Sequence, residues 1–143
     1  EYSILRTWLL PSLMKTLSGN VKTLYPQRIF EIGDTIHPDD TRPEKAVRKI
    51  KLAAVSSHSN ASYSEVKSVV EELLKNLMID DWNLKPYDKM PFIAGRAAEV
   101  IWRNTSIGFF GELHPEVLTE WSITMPASAL EFDLDLIESL RKT

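Results

Sequence analysis

Acidic side chains are the most frequent candidates for chemistry in this chain, and several occur in close pairs. Asp39–Asp40 and Asp80–Asp81 lie in polar segments, and Asp133 and Asp135 lie two residues apart on a strand-like run. Paired carboxylates can act as general acids and bases when a fold brings them together. Solvated turns explain the first two pairs more simply, and the third predicts a cap for the C-terminal helix.

Other residue types that carry chemistry are scattered or missing. There is no cysteine, and the three histidines, His37, His58 and His114, show no metal-ligand spacing. Two of them precede a proline, which indicates turns. Phosphate-binding loops, dinucleotide fingerprints and hydrolase elbows are also absent from the sequence. No metal, cofactor or catalytic site is therefore expected in the chain itself.

Basic residues offer one nucleic-acid hypothesis. Lys49 and Lys51 share one face of a predicted strand, and Lys22 and Arg28 are further candidate contacts for RNA. The net charge of −3 and the pI of about 5.6 argue against a dedicated polyanion binder. No aromatic residue is interleaved with the lysines to stack on bases. A solvated strand face is the favoured interpretation, and an RNA-binding module remains the alternative.

The elements that must position these residues can be predicted from periodicity. Strands are expected over 27–36, 47–57, 97–103 and 107–113, with a loop at 37–45. Short helices are expected at 11–20 and 115–121, and residues 128–142 indicate a strand that leads into a helix. Strands joined by short turns, with helices laid across them, predict an α+β fold with an antiparallel sheet.

The strongest helix signal lies between Ser62 and Ile79. Ser62 and Glu65 form an S-x-x-E capping box at its start. An apolar stripe at helical spacing predicts one buried face. Its members are Val66, Val69, Val70, Leu73, Leu74 and Leu77.

Large apolar residues point to a partner surface. Phe109 and Phe110 are neighbours on a predicted strand, so their side chains should point to opposite faces of the sheet. One of them then needs a second layer, from a helix or another protein. Trp8 and Leu10 precede the first helix. These four residues are the candidate interface.

Length and composition are those of an ordinary globular domain. The 143 residues are 43% hydrophobic and 26% charged, and residues 1–143 are expected to form a single domain cut from a longer chain. No apolar run is long enough to span a bilayer. The absence of cysteine suits a reducing compartment, and a cytoplasmic location is expected.

Five segments in order carry a family resemblance that covers nearly the whole chain. They are LRTWLLPSL, PQRIFEIGD, PFIAGRAAEV, IGFFGELHPEVL and PASALEFDL. Together they resemble the catalytic-like module of the phenylalanyl-tRNA synthetase beta subunit, in its archaeal and eukaryotic form. The resemblance implies a degenerate copy of the class II synthetase core. It also implies an alpha-subunit partner that carries the active site, within an α2β2 enzyme that uses ATP, magnesium and tRNA.

The same resemblance implies that the phosphate-binding positions have been lost. The second class II signature motif places an arginine after an aromatic residue, and Glu31 follows Phe30 here. The third motif needs a glycine-rich junction and an arginine, whereas this chain offers Glu131, Asp133 and Asp135. A carboxylate repels a phosphate, so a non-catalytic supporting module is predicted.

Two further expectations concern Arg96 and self-association. Arg96 lies in the segment that lines the amino-acid pocket of the active chain, and we expect it to form a structural ion pair with Glu99, Glu112 or Glu131. An isolated module should expose the apolar surface that the alpha subunit covers. A weak homodimer is therefore expected when the module stands alone.

Overall fold

The computed structural model describes residues 8–19, 26–38, 40–41 and 46–142. These ranges contain four helices and six strands. In chain order they are α1 (Leu10–Gly19), β1 (Gln27–Pro38), β2 (Ala46–Ser57), α2 (Tyr63–Asn76), β3 (Asn83–Pro86), β4 (Phe92–Trp102), β5 (Thr105–Leu113), α3 (Pro115–Glu120), β6 (Ala127–Asp133) and α4 (Leu134–Arg141). No helix in the described part of the chain is long and apolar enough to cross a membrane.

The strands form one antiparallel sheet in the order β1-β2-β6-β5-β4-β3. Residues that lie opposite each other in such a sheet share a face. One row across the sheet aligns Glu31 with Ala53, Ala53 with Glu131, and Glu131 with Phe109. The predicted α+β fold with an antiparallel sheet is confirmed.

Helices cover both faces of the sheet, and each face has its own apolar core. The face under α1 buries Leu13, Met14 and Leu17 of that helix, and α3 also packs there. The opposite face buries residues of α2 and α4, together with Phe110 and Phe132. We call these the α1 face and the α2 face.

Local sequence signals explain where the helices begin and end. The Ser62 hydroxyl accepts a hydrogen bond from the Glu65 amide at 3.2 Å, so the predicted cap of α2 forms. The Glu65 carboxylate contacts His58 Nε2 at 2.9 Å, so it does not make the second capping-box hydrogen bond, which would join it to the Ser62 amide. In α4, Asp133 Oδ1 accepts from Leu136 N at 2.9 Å, which confirms the predicted Asp133 cap.

Two glycines allow the sheet to pack closely at its centre. A Cβ atom added to Gly111 would lie 2.5 Å from the Cβ of Ala97 and 2.6 Å from the Arg96 carbonyl oxygen. A Cβ on Gly108 would collide with the ring of Phe132. Both glycines lie in β5, between its two neighbouring strands, so a side chain at either position has no room.

The structure corrects several predicted boundaries. β1 continues through His37 to Pro38, and β4 begins at Phe92, five residues before the predicted start. The short strand β3 was not predicted, because four residues are too few to show an alternating pattern. Asn20, Lys22 and Asp39 lie outside the described residues.

Candidate functional site

Glu31, Glu131 and Asp133, the residues predicted to replace the phosphate-binding groups, lie on the α1 face of the sheet. Glu31 on β1 and Glu131 on β6 are separated only by β2, since both align with Ala53. Asp133 lies two residues beyond Glu131 on the same strand and faces the same way. The fold therefore gathers three carboxylates around one point of the sheet.

Glu131 is the central residue of this site. It is only 2% exposed, and both of its carboxylate oxygens accept backbone hydrogen bonds. Oε2 accepts from Leu9 N at 2.8 Å, and Oε1 accepts from Leu10 N at 3.0 Å. The first amides of a helix have no partner within the helix. Glu131 therefore caps α1 from the sheet, more than a hundred residues away along the chain.

The surroundings of Glu131 raise its pKa above the ordinary value. Burial is the largest cause, because it disfavours the charged form. The two amides and the positive charge of Lys51 act in the opposite direction, and the negative charge of Glu31 adds to the increase. The Glu131 carboxylate thus accepts two backbone hydrogen bonds in a buried environment that disfavours its charged form.

The lysines of β2 belong to the same site. Lys49 Nζ lies 3.8 Å from Asp133 Oδ2, so this predicted RNA contact already has an acidic partner. Lys51 lies opposite Asp133 in the register and acts electrostatically on Glu131. The pKa of His37, at the end of β1, is lowered by burial and by the charges of Lys51 and Lys49.

The open space at this site is small. A cavity of about 150 Å³ is lined by Lys51, Phe109, Glu131 and Asp133, among others. Sites for drug-sized ligands usually measure about 300–1,000 Å³. A nucleotide phosphate placed here would meet Glu131 and Asp133 beside a single lysine. Within the described residues, no group of three or more His, Cys, Asp or Glu side chains could hold a metal ion.

Arg96 lies away from this centre, in a wider cleft of about 580 Å³ beside α3. Its Nη1 atom is 3.1 Å from Glu112 Oε1, and the arginine side chain is 60% exposed. Glu112 Oε2 also accepts from Tyr63 N at 2.7 Å. Glu112 is one of the three carboxylates expected to pair with Arg96, but the pair lies at the surface. An ion pair this exposed contributes at most about 1 kcal/mol, because solvent screens it.

The four candidate interface residues divide between core and surface. Leu10 and Phe110 are 1% and 0% exposed, so they belong to the core and offer no surface to a partner. Phe110 and Phe109 do point to opposite faces of the sheet. Helix α2 covers Phe110, and the ring of Tyr63 stacks on it with the ring centroids 5.3 Å apart. Trp8 and Phe109 are partly buried and pack against each other, with their ring centroids 6.4 Å apart.

The large exposed apolar residues of the sheet are different ones. Phe30 and Ile32 on β1 are 68% and 62% exposed, on the α2 face. Val69 of the predicted helix stripe is 50% exposed, because it lies at the edge of the layer beside β1. Phe30 and Ile32 share this face because they alternate with Glu31 and Gly33 along β1.

Comparison with known proteins shows the family of this chain. Residues 1–134 match the family model described as the phenylalanyl tRNA synthetase beta chain CLM domain. The phenylalanine–tRNA ligase beta subunit of Methanopyrus kandleri is 44% identical over 134 residues, which are 94% of this chain and 23% of that protein. The corresponding protein of Thermococcus sibiricus is 38% identical over 94% of this chain and 24% of its own length. The chain therefore spans about a quarter of these relatives.

A solved structure supports the fold independently. The pyrrolysyl tRNA synthetase of Desulfitobacterium hafniense superimposes with a TM-score of 0.79 at 17% sequence identity, over 96% of this chain and 50% of that one. The fold is thus the one found in a class II aminoacyl-tRNA synthetase. From the family match and the identity to these relatives, we conclude that the chain belongs to the phenylalanyl-tRNA synthetase beta chain CLM domain family.

Proposed function

We propose that this chain is a non-catalytic, class II synthetase-like module of a phenylalanine–tRNA ligase beta subunit. In this proposal it supports the active site of the alpha subunit during tRNA aminoacylation. ATP and magnesium are used by the assembled enzyme and are not bound by this module. The cytoplasm is the proposed location, as for protein biosynthesis.

The state of Glu131 is the observation that carries the proposal. In the row where a catalytic copy would bind phosphate, this carboxylate is buried and both of its oxygens hold the start of α1. Catalysis of adenylate formation depends on cationic groups placed around the phosphates. Here the cavity is small and lined by two acids and one lysine, which favours a supporting role.

The RNA-binding alternative has less support. On β2, Lys49 contacts Asp133, and Arg48 Nη1 lies 3.7 Å from Asp34 Oδ2. Arg28 contacts Glu65 at 3.5 Å. Basic side chains that already have acidic partners are poorer phosphate ligands, since binding must first break these pairs.

Pyrophosphate exchange tests the proposal. The chain alone, with phenylalanine and ATP, should exchange no more pyrophosphate than a blank. In the complex with the alpha subunit, Lys51→Ala should leave kcat and the KM for ATP unchanged, as should Lys75→Ala on the exposed surface of α2. Exchange by the isolated chain that Lys51→Ala abolishes, while Lys75→Ala does not, would show a working site and refute the proposal.

A further inference from the structure

The first part of β4 contains a bulge. Ala97 lies opposite Gly111 of β5, and the pairing of the two strands resumes only at Phe92, opposite Leu113. Between these pairs β4 spans five residues, from 92 to 97, while β5 spans two, from 111 to 113. Gly95 in the bulge has a φ of 85°, a left-handed conformation that glycine adopts readily. Bulges of this kind can re-aim a side chain next to a functional site.

The residue that follows this glycine is Arg96, and it lines the cleft of about 580 Å³ beside α3. This volume lies within the usual range for small-molecule sites. We call this space the Arg96 cleft. Among the described residues that line it, only Arg96 and Glu112 carry a charge, and apolar residues form much of the wall. The wall includes Ile93, Leu118, Ile123 and Met125.

The guanidinium group of Arg96 is bonded on one side. Nη1 donates to Glu112 Oε1 at 3.1 Å, and this is the one hydrogen bond of the Arg96 side chain in the described part of the chain. A guanidinium carries further N–H donors in a planar fork that matches a carboxylate. The side chain is 60% exposed, so a ligand in the cleft can reach these donors. Arg96 can therefore bind a second carboxylate without releasing the first.

Glu112 positions Arg96, and its charge is already compensated. Oε1 accepts from Arg96, and Oε2 accepts from Tyr63 N at 2.7 Å. Tyr63 is the first residue of α2, and the amides at a helix N-terminus carry partial positive charge. An ammonium group of a ligand would have to compete with these donors for Glu112. The cleft thus favours an anionic group over a cationic one.

We propose that the Arg96 cleft binds a small organic acid, whose single carboxylate pairs with Arg96 and whose apolar group packs against Leu118 and Met125. A second negative charge on the ligand is disfavoured, because Glu112 lies beside Arg96. An ammonium group is disfavoured because both oxygens of Glu112 are bonded. The cleft lies away from Glu131, and the proposal is independent of the ligase assignment.

Titration of the chain with 3-phenylpropionate, followed by the amide chemical shifts in NMR spectra, tests the proposal. The matched neutral ligand is 3-phenylpropionamide, and L-phenylalanine adds an ammonium group to the acid. The acid should bind about fivefold more tightly than the amide, which is the fold-change of an exposed ion pair worth about 1 kcal/mol. It should also bind more tightly than phenylalanine. The shift changes should concentrate on residues 93–96 and 118–125.

Variants locate the carboxylate. Arg96→Ala should abolish the preference for the acid over the amide, and Arg96→Lys, which keeps the charge without the fork, should retain part of it. Met125→Ala should weaken the acid and the amide alike. Arg48→Ala is the matched control, because the Arg48 side chain is 70% exposed and pairs with Asp34 outside the cleft. It should bind both ligands as the wild type does. Circular dichroism and melting temperature show whether each variant folds.

Three results would overturn the proposal. The first is equal binding of the acid and the amide by the wild type, or binding of neither at high millimolar concentration. The second is a preference for the acid that both Arg96 variants leave unchanged, which would place the carboxylate elsewhere. The third is phenylalanine that binds as tightly as 3-phenylpropionate, which would show that the cleft accepts an ammonium group.

Discussion

Glu131 combines two opposing effects in one side chain. Its carboxylate satisfies two helix-terminal amides, which is favourable, and it does so in a buried place, which is costly for a charge. Desolvation outweighs the bonds and raises the pKa. The residue therefore serves the position of α1 in the fold and is not available to a ligand.

The raised pKa predicts how stability depends on pH. The native state binds a proton at Glu131 more tightly than the unfolded chain does, so it holds more protons between the ordinary value of 4.5 and the raised one. The contribution of Glu131 to the free energy of unfolding should thus be largest below pH 4.5 and decline as the pH rises through the raised pKa. Urea unfolding of the wild type and Glu131→Gln across this window measures it.

Comparison with an exposed carboxylate isolates the effect. Glu72→Gln on the solvent side of α2 should show the same pH profile as the wild type. If the difference between the wild type and Glu131→Gln grew as the pH rose, the amides of Leu9 and Leu10 would outweigh burial, and the pKa would be lowered.

At the scale of elements, the sheet depends on close contact between β4 and β5. Gly111 lies opposite Ala97 in the register, and no space remains for a side chain between them. Along the same pair of strands, Glu112 connects Arg96 of β4 with the first residue of α2. Glu112 thus connects β4 with the start of α2 at one end of β5.

Gly111→Ala should destabilise the fold. The added Cβ would lie 2.5 Å from the Ala97 Cβ, so the strands must separate, and overpacking of this kind costs about 1–3 kcal/mol. Gly19→Ala is the matched control, since a Cβ there meets nothing within 4 Å and alanine favours a helix. Thermal or urea unfolding of both variants measures the difference. Equal stability of Gly111→Ala and the wild type would show that β4 and β5 can shift apart freely.

At the scale of the whole molecule, charge and shape separate two faces with different roles. The α1 face carries the buried acidic centre under α1, and the α2 face leaves Phe30 and Ile32 of β1 exposed. The net charge of −3 leaves no general attraction for a polyanion. RNA contact by this module would have to arise from a local group of basic residues, such as the lysines of β2.

Weak tRNA binding with little salt dependence is therefore expected of the chain. Each phosphate contact made by a lysine releases counterions and steepens the dependence of the binding constant on salt. Filter binding of tRNA at several salt concentrations should give a slope near zero, and a double variant with Lys49→Ala and Lys51→Ala should match the wild type. A steep slope that flattens in the double variant, but not in Lys75→Ala, would support the RNA-binding alternative.

Signals that act over a few residues were sufficient to predict much of this protein. The Ser62 cap, the strands β1 and β2, and the Asp133 cap depend on neighbours in the chain, and each was predicted from the sequence. The order of five short segments was enough to indicate the family. The two caps and the two strands share one cause, because the residues of a short segment themselves set its backbone geometry.

Only the tertiary structure decided which faces are covered and which distant groups meet. Glu131 caps α1 because β6 passes beneath Leu9, and no local pattern records that meeting. Leu10 and Phe110 are buried, and Phe30 is exposed, because the described helices on the α2 face cover the centre of the sheet and do not cover Phe30. A period of two residues shows which side chains share a face, but only packing determines whether that face meets a helix or solvent.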